Sequence, residues 1–397
     1  MTTTDGKVWV SGLNRRAALR PPEAAAQPVR FYDTTLRDGE QTVGVVLTPK
    51  QKLELARALD DLGIARIEAG FPRVAPDDAE AFAAIARAGL RAEVWGFSRA
   101  VKGDIEELAR LGARAAVIEI PCSPIKLRAY GISAGDSLLR AADAVRLARQ
   151  HNIRVAFFPV DGTRAELEHL RALYLTVLEA GAEEIVVVDT IGACTPEAVE
   201  YLVGQVREWV GKSVPIHFHG HDDFGLATAC AVAAVRGGAN WIQATINGMG
   251  ERAGNADIAE VAMALTCLYG VPVDLRLEKL REVSARVRAA SGYQMEPWKP
   301  VVGDTLFQRE SGAVASQFHL PEAIEPFSAE LVNARRSIVL GKKSGVDSID
   351  IKARELGLAI PDDKKAPVLA AVKKRGIEKR GLLTDDEFRE IVAMHCK

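Results

Sequence analysis

Between residue 30 and about residue 270 the chain alternates between two hydrophobic patterns. Short runs rich in β-branched, aromatic and other apolar residues occupy 30–36, 65–69, 92–97, 115–120, 154–160, 184–189, 214–219 and 241–246. Their length and composition read as buried strands. Between them lie longer Ala/Leu/Arg/Glu-rich stretches with helical spacing, as at 77–88, 136–150, 164–180 and 196–210. One of these opens on Thr48-Pro49, an N-cap and first-turn proline, carries Leu53, Leu55, Leu59 and Leu62, and closes on Gly63. The strand starts are roughly 25–40 residues apart, the length of one strand plus one helix. Eight such units predict an α/β fold, a (β/α)8 TIM barrel over 29–275. A doubly wound open sheet is the alternative, since spacing does not give strand order.

After about residue 275 the rhythm breaks. A Pro-, Gly- and polar-rich stretch at 293–312 precedes a helical tail with Lys373, Lys374, Arg375, Lys379 and Arg380. Residues 276–397 are expected to form small C-terminal subdomains, with the basic cluster on a solvated face. Residues 1–28 contain Arg, Ala and Pro without an apolar segment and are expected to be an N-terminal extension rather than a secretory signal.

Composition narrows the function. Hydrophobic residues make up 48% of the 397 and charged residues 26%, a mix that excludes a mainly disordered chain. The formal net charge of −2 lacks the positive excess that nucleic-acid binding requires. No apolar run is long enough for a membrane span. Five cysteines without a CxxC pair fit a reducing, cytoplasmic setting better than a disulfide scaffold.

A barrel places its chemistry just after the C-terminal ends of its strands, and three segments meet that demand. The first is His217-Phe218-His219-Gly220-His221-Asp222-Asp223, after the seventh strand. Period two puts the three histidines on one face if the strand continues, and two imidazoles so spaced can chelate a divalent metal. The second is Asp33-Thr34-Thr35-Leu36-Arg37-Asp38-Gly39-Glu40-Gln41, after the first strand. There a carboxylate can complete a His/His/carboxylate set and a guanidinium can stabilise an oxyanion. By itself such a loop is equally an ordinary ion pair. The third is Asn247-Gly248-Met249-Gly250-Glu251-Arg252-Ala253-Gly254-Asn255, after the eighth strand. Its glycines allow close backbone approach, and a helix starting after Asn255 would offer N–H groups to an anion. Weaker signals are Glu68, ending the second strand, and Asp189-Thr190, ending the sixth.

Together these three segments resemble the carboxylate-metal barrel enzymes that include isopropylmalate, homocitrate and citramalate synthases and HMG-CoA lyase. The likeness covers about residues 29–345. The third segment is similar to the synthase form rather than to the cysteine-bearing loop of the lyase, and the overall likeness is nearest to the short, nitrogenase-type homocitrate synthases. The resemblance implies an acyltransferase that condenses an acyl-CoA, acetyl-CoA as co-substrate, with a 2-oxo acid. Hydrolysis of the thioester then frees CoA and a 2-hydroxy-2-(carboxymethyl) acid. It further implies Asp38, His219, His221 and Asn255 as metal ligands, with His217 a neighbour in the strand. Arg37 would stabilise the oxyanion, Gln41, Glu68 and Thr190 would line the 2-oxo acid pocket, and Gly248 and Gly250 would contact CoA. The donor set accepts zinc, manganese, magnesium or cobalt. Family members are usually dimers, so a homodimer is expected.

The departures from the family are informative. Synthases carry F-x-H-E-S-G-I-H where this chain has Phe307-Gln308-Arg309-Glu310-Ser311-Gly312-Ala313-Val314. Both histidines are replaced, by Arg309 and Val314. The histidine of L-G-K-H-S-G is Lys343, and the family's E-D pair is Val160-Asp161. Valine transfers no proton, and arginine is no practical base at neutral pH. Glu310 is then the carboxylate within the altered motif available as a base. Lys126, Arg128 and Arg309 point to a more anionic 2-oxo acid, with contacts to CoA phosphates or solvent as the plainer alternative. Two other functions remain open on the sequence: a carbon–carbon lyase or aldolase on the same metal, and a non-catalytic metabolite-binding relative.

Overall fold

A computed structural model describes residues 6–15 and 29–396, so most of the expected N-terminal extension lies outside the described residues. The chain forms two compact units, Gly12–Met295 and Met1–Ser11 with Glu296–Lys397.

The first unit is a closed barrel of eight parallel strands in sequential order. They are β1 (Arg30–Asp33), β2 (Arg66–Glu68), β3 (Glu93–Arg99), β4 (Ala115–Pro121), β5 (Arg154–Val160), β6 (Glu184–Asp189), β7 (Ile216–Gly220) and β8 (Trp241–Ala244). Pairing of β8 with β1, Arg30 opposite Trp241 through Asp33 opposite Ala244, closes the cylinder and excludes the open sheet. Helices α1 (Pro49–Leu62), α2 (Pro76–Ala86), α3 (Lys102–Arg110), α4 (Pro124–Tyr130), α5 (Ala134–Gln150), α6 (Leu167–Glu179), α7 (Pro196–Val210), α8 (Ala227–Gly237) and α9 (Ile258–Met263) connect and follow the strands. Helix α10 (Leu280–Ser291) returns to the barrel, where its Ala290 carbonyl accepts a hydrogen bond from Gln51.

Local chemistry sets these boundaries. Thr48 caps α1 in a reciprocal box with Gln51, Pro49 takes the first turn, and Gly63 ends the helix at φ 99°. A Cβ on Gly63 would come within 2.8 Å of the Asp274 carbonyl oxygen, so that turn excludes other residues. Three strands fall two or more residues short of their apolar runs at one end, β7 by starting at Ile216 rather than Val214. Residues 34–36 are buried yet leave β1 in a turn, and β8 stops at Ala244 before a 3-10 turn.

Inside the barrel, inward side chains at period two form one cluster, with Tyr32, Trp95, Phe97, Ala115, Val117, Ala156, Phe158, Val186, Val188 and Trp241. At the N-terminal end of the strands the filling turns ionic. Arg66 donates to both oxygens of Glu184 and to Glu93, and its guanidinium lies 4.6 Å from the Trp95 ring centre and 3.7 Å from that of Trp241. His217 joins this group through Glu184 at 2.6 Å and Gln243 at 3.3 Å. The opposite end of the barrel is left to the loops that carry the chemistry.

The second unit contains a two-stranded parallel pair, β9 (Gln308–Arg309) and β10 (Ser337–Ile338). Its helices are α11 (Gly312–Ala315), α12 (Val346–Glu355), α13 (Asp362–Lys379) and α14 (Asp385–His395). They enclose their own core of Ile338, Leu340, Ile349, Val368, Val372, Phe388 and Ile391, among others. Among the described residues no helix is long and apolar enough to cross a membrane.

Candidate active site

The turn after β1 is built by Asp33. Its carboxylate accepts from the Thr35 amide at 2.9 Å and the Thr35 hydroxyl at 2.7 Å, and that hydroxyl also accepts from the Ile246 amide. These bonds pin the loop to the end of β8 and place Arg37 and Asp38 in the barrel mouth. Burial outweighs the two Thr35 hydrogen bonds and pushes the Asp33 carboxyl up to about 7.

Arg37 is the hub. Its Nε donates to Glu68 at 2.6 Å, its Nη1 lies 3.4 Å from Asp38, and its guanidinium covers the Phe97 ring at 4.1 Å. Glu68 in turn accepts from the Tyr32 hydroxyl at 3.0 Å. Burial opposes the charges on this array, but Arg37 and the two imidazoles outweigh it at Asp38. They hold its carboxyl far below the usual carboxylate range.

Strand β7 delivers the histidines. His217 faces inward to the ionic layer, and His219, two residues on, faces the mouth. His221 follows just past the strand end, where it bridges to Asn255. The Asp38 carboxylate is 3.3 Å from His219 Nε2 and 3.6 Å from His221 Nε2, and the two Nε2 atoms are 3.2 Å apart. A ligand atom from each of the three lies within 4.8 Å of the others. Burial lowers the His221 imidazole to about 4, so it is neutral at pH 7. Its Nδ1 lies 3.1 Å from the Gly254 carbonyl oxygen, which fixes the tautomer with the proton there and frees the Nε2 lone pair.

The donor set fits a divalent cation. Asp38 Oδ1 and Asn255 Oδ1 are buried without a hydrogen-bond partner, an expensive arrangement unless a ligand completes it. Asn255 Nδ2 donates to the Met249 carbonyl, which fixes the amide and leaves Oδ1 as the free donor atom. Arg37 Nη2 is likewise buried and unpartnered, ready for an anionic group.

The glycine loop has its own reasons. Gly254 sits at φ 89°, and a Cβ there would lie 1.9 Å from the Gly248 carbonyl oxygen. The Gly250 amide donates to Thr42 Oγ1 at 2.9 Å. These contacts fold the loop onto itself and onto the segment after β1. The anion site expected at the following helix does not form. Asp257 caps α9, its carboxylate accepts the first free amides, those of Ala259 and Glu260, and its negative charge repels an anion.

The remaining expected residues are scattered. Thr190 accepts from the Asp161 amide at 2.7 Å, which leaves its own proton to donate. Lys126 lies in the first turn of α4, and Gln41 is exposed. In the second unit, Arg309 donates to the carbonyls of Leu306 and Gln308 and faces Glu325 at 3.5 Å. There Glu310 accepts from the Lys343 amide at 3.0 Å. Glu119 and the Arg66–Glu184–His217 network were not anticipated. The network's members are too far apart in sequence to signal one another, and Glu119 reads as one polar break in an apolar run.

The HMGL-like family model matches residues 28–287. The chain belongs to the HMGL-like family. Within it, the chain is 42% identical over 366 residues to a homocitrate synthase of Methanopyrus kandleri, covering 92% of this chain and 91% of that protein. It is 41% identical over 351 residues to a 2-isopropylmalate synthase of Methanocaldococcus jannaschii, covering 87% and 67%. Among solved structures, HMG-CoA lyase of Bacillus subtilis superposes with a TM-score of 0.62 at 20% identity, over 70% of this chain and 96% of that one. That likeness shows the shared barrel.

Proposed function

We propose that this HMGL-like chain is an acyltransferase joining acetyl-CoA to a 2-oxo acid in a reaction that depends on a divalent metal. The products are a 2-hydroxy-2-(carboxymethyl) acid and free CoA. The observation that carries the reading is the convergence of Asp38, His219 and His221 beside the buried Arg37. It occurs in a chain about two-fifths identical to proteins named as synthases of this class.

Asp38, His219, His221 and Asn255 would hold the metal, which supplies Lewis acidity to the keto group. Arg37, kept charged by Glu68 and Asp38 against the effect of burial, offers Nη2 to the developing alkoxide. Thr190 offers its hydroxyl proton to the carboxylate of the 2-oxo acid. Glu68 holds Arg37 in place rather than meeting the substrate itself. The preference for an extra anionic group on the 2-oxo acid rests on Lys126, because Arg309 spends its donors on its own unit. The protein is further proposed to be a cytoplasmic homodimer, an expectation drawn from the family that light scattering would test for the oligomer.

The experiment is free-thiol release from acetyl-CoA by metal-stripped and metal-reloaded protein. The panel holds glyoxylate, pyruvate, 2-oxoisovalerate, oxaloacetate, 2-oxoglutarate, phosphonopyruvate and sulfopyruvate. Release that needs both metal and one 2-oxo acid supports the reading. Release unaffected by stripping the metal contradicts it.

A further inference from the structure

The condensation needs a base for the methyl group of the acyl thioester, and the barrel offers a carboxylate that the sequence pattern hid. We propose that Glu119 is the residue that takes this proton, an inference that rests on the function proposed above.

The placement follows from strand parity. Ala115 and Val117 of β4 belong to the inward cluster of the barrel, so Glu119 is the next inward residue toward the C-terminal mouth. It lies opposite Arg99 of β3 and Phe158 of β5. Glu119 is half-buried and lines a cavity of about 160 Å3 with Arg99, Arg140, Ile120, Tyr130, Ile132 and Val160, among others. The walls are mostly apolar, with Arg99 already paired to Asp104, and suit the acyl end of a thioester.

The buried carboxylates around the mouth are already occupied. Asp33 is held by Thr35, Glu68 by Arg37 and Tyr32, and Asp161 by Ser123 and Arg164. Asp189 accepts from Thr163 and two backbone amides, and Asp38 faces the imidazoles. Glu119 makes no side-chain hydrogen bond among the described residues. Glu119 is half-buried, so its unpartnered carboxylate stays open to a bound molecule.

Its electrostatic surroundings suit the task. Burial raises the Glu119 carboxyl to about 7, against the opposing charges of Arg37 and Arg99, with Glu68 and Lys126 as smaller influences. Arg140 and Tyr130 also border the cavity, and β5 presents Phe158 and Val160. A base that changes charge near neutral pH combines the ionised form with useful basicity. Arg37, the group offered to the alkoxide, is the positive charge that bears most strongly on it.

The step balances. Glu119 takes a methyl proton, and the C–H electron pair passes into the enolate. The enolate carbon bonds to the keto carbon as the carbonyl π pair moves to oxygen beside Arg37. That alkoxide recovers the proton from the Glu119 carboxylic acid. Water then cleaves the thioester, and CoA leaves as the thiol.

The test compares wild type, Glu119→Gln and Glu119→Asp with the 2-oxo acid identified by the thiol-release panel. Glu119→Gln is expected to lower kcat by about 10²–10⁴-fold, with bound metal and the KM for the 2-oxo acid changed less than about threefold. The wild-type kcat should fall on the acid side of about pH 7, and this limb should be absent from the residual activity of Glu119→Gln. Glu119→Asp should recover part of kcat and retain an acid limb. A Glu119→Gln enzyme with near-wild-type kcat and the same acid limb overturns the assignment and leaves the condensation intact. A metal-loaded wild type inactive toward every 2-oxo acid overturns the condensation, and with it the role of Glu119.

Discussion

Replacing Asp38 with Asn keeps the shape of the side chain and removes its charge, so it separates the two tasks of that carboxylate. Asp38 is 3.4 Å from Arg37 Nη1, with both side chains under one-tenth exposed. At that distance a charge pair is worth about 5 kcal/mol for an effective dielectric of about 20. Relief of the carboxylate's own burial cost offsets part of this, and Arg37 keeps Glu68 as a second partner. We expect a net loss of about 3 kcal/mol, at the low end for breaking a buried pair. That corresponds to a fall in Tm of roughly 4–5 °C with metal chelated, for a unit of this size. With metal the gap should widen. A concentration 100 times the wild-type Kd adds about 2.7 kcal/mol to the wild type. A variant binding about 100-fold more weakly gains only about 0.4 kcal/mol at the same concentration. The assay is urea unfolding of both proteins, chelated and metal-loaded. Equal stability when chelated, with equal stabilisation by metal, would refute both the ion-pair argument and the assignment of Asp38 as a ligand.

Two further substitutions probe the supports of the site. Gly254→Ala would put a Cβ against the Gly248 carbonyl at a positive φ, shifting the carbonyl that orients His221. Metal titration should show affinity down by about 10–100-fold, and unchanged affinity would mean that this carbonyl does not orient the ligand. The Glu184 carboxyl is held at about 2, below its ordinary 4.5, because its hydrogen bonds to His217 and Arg66 overcome burial. A depressed carboxyl stabilises the fold fully above about pH 4.5 and loses that contribution as the pH falls toward 2. The stability margin of wild type over Glu184→Gln should therefore be constant from pH 7 to 5 and shrink below that. A margin that grows in acid would reverse the argument.

Much of the barrel was legible because each strand is a compact apolar run and each helix carries local signals such as Thr48-Pro49 and Gly63. The limits of legibility were equally physical. Thr34, Thr35 and Leu36 are as buried as a strand, yet the two hydrogen bonds to Asp33 turn the chain there. The amides after Asn255 looked available to an anion, but Asp257 takes them first. His219 and His221 stood out because they lie two residues apart. The partners of His217, Glu184 and Arg66, lie 33 and 151 residues away, and only closure of the barrel joins them. Glu119 drew no notice as a lone acid in the run 115–120. Its meaning depends on which way β4 faces, which inward Ala115 and Val117 reveal.

The most direct measurement follows the carbon atoms. Metal-loaded protein is supplied with acetyl-CoA carrying ¹³C in the methyl group, together with the 2-oxo acid that gives thiol release, and the products are read by NMR. The account predicts the label in a methylene group bonded to a carbon bearing a hydroxyl, with none formed after the metal is stripped. Labelled acetate as the sole product would mean that the chain merely hydrolyses the thioester, and would contradict carbon–carbon bond formation.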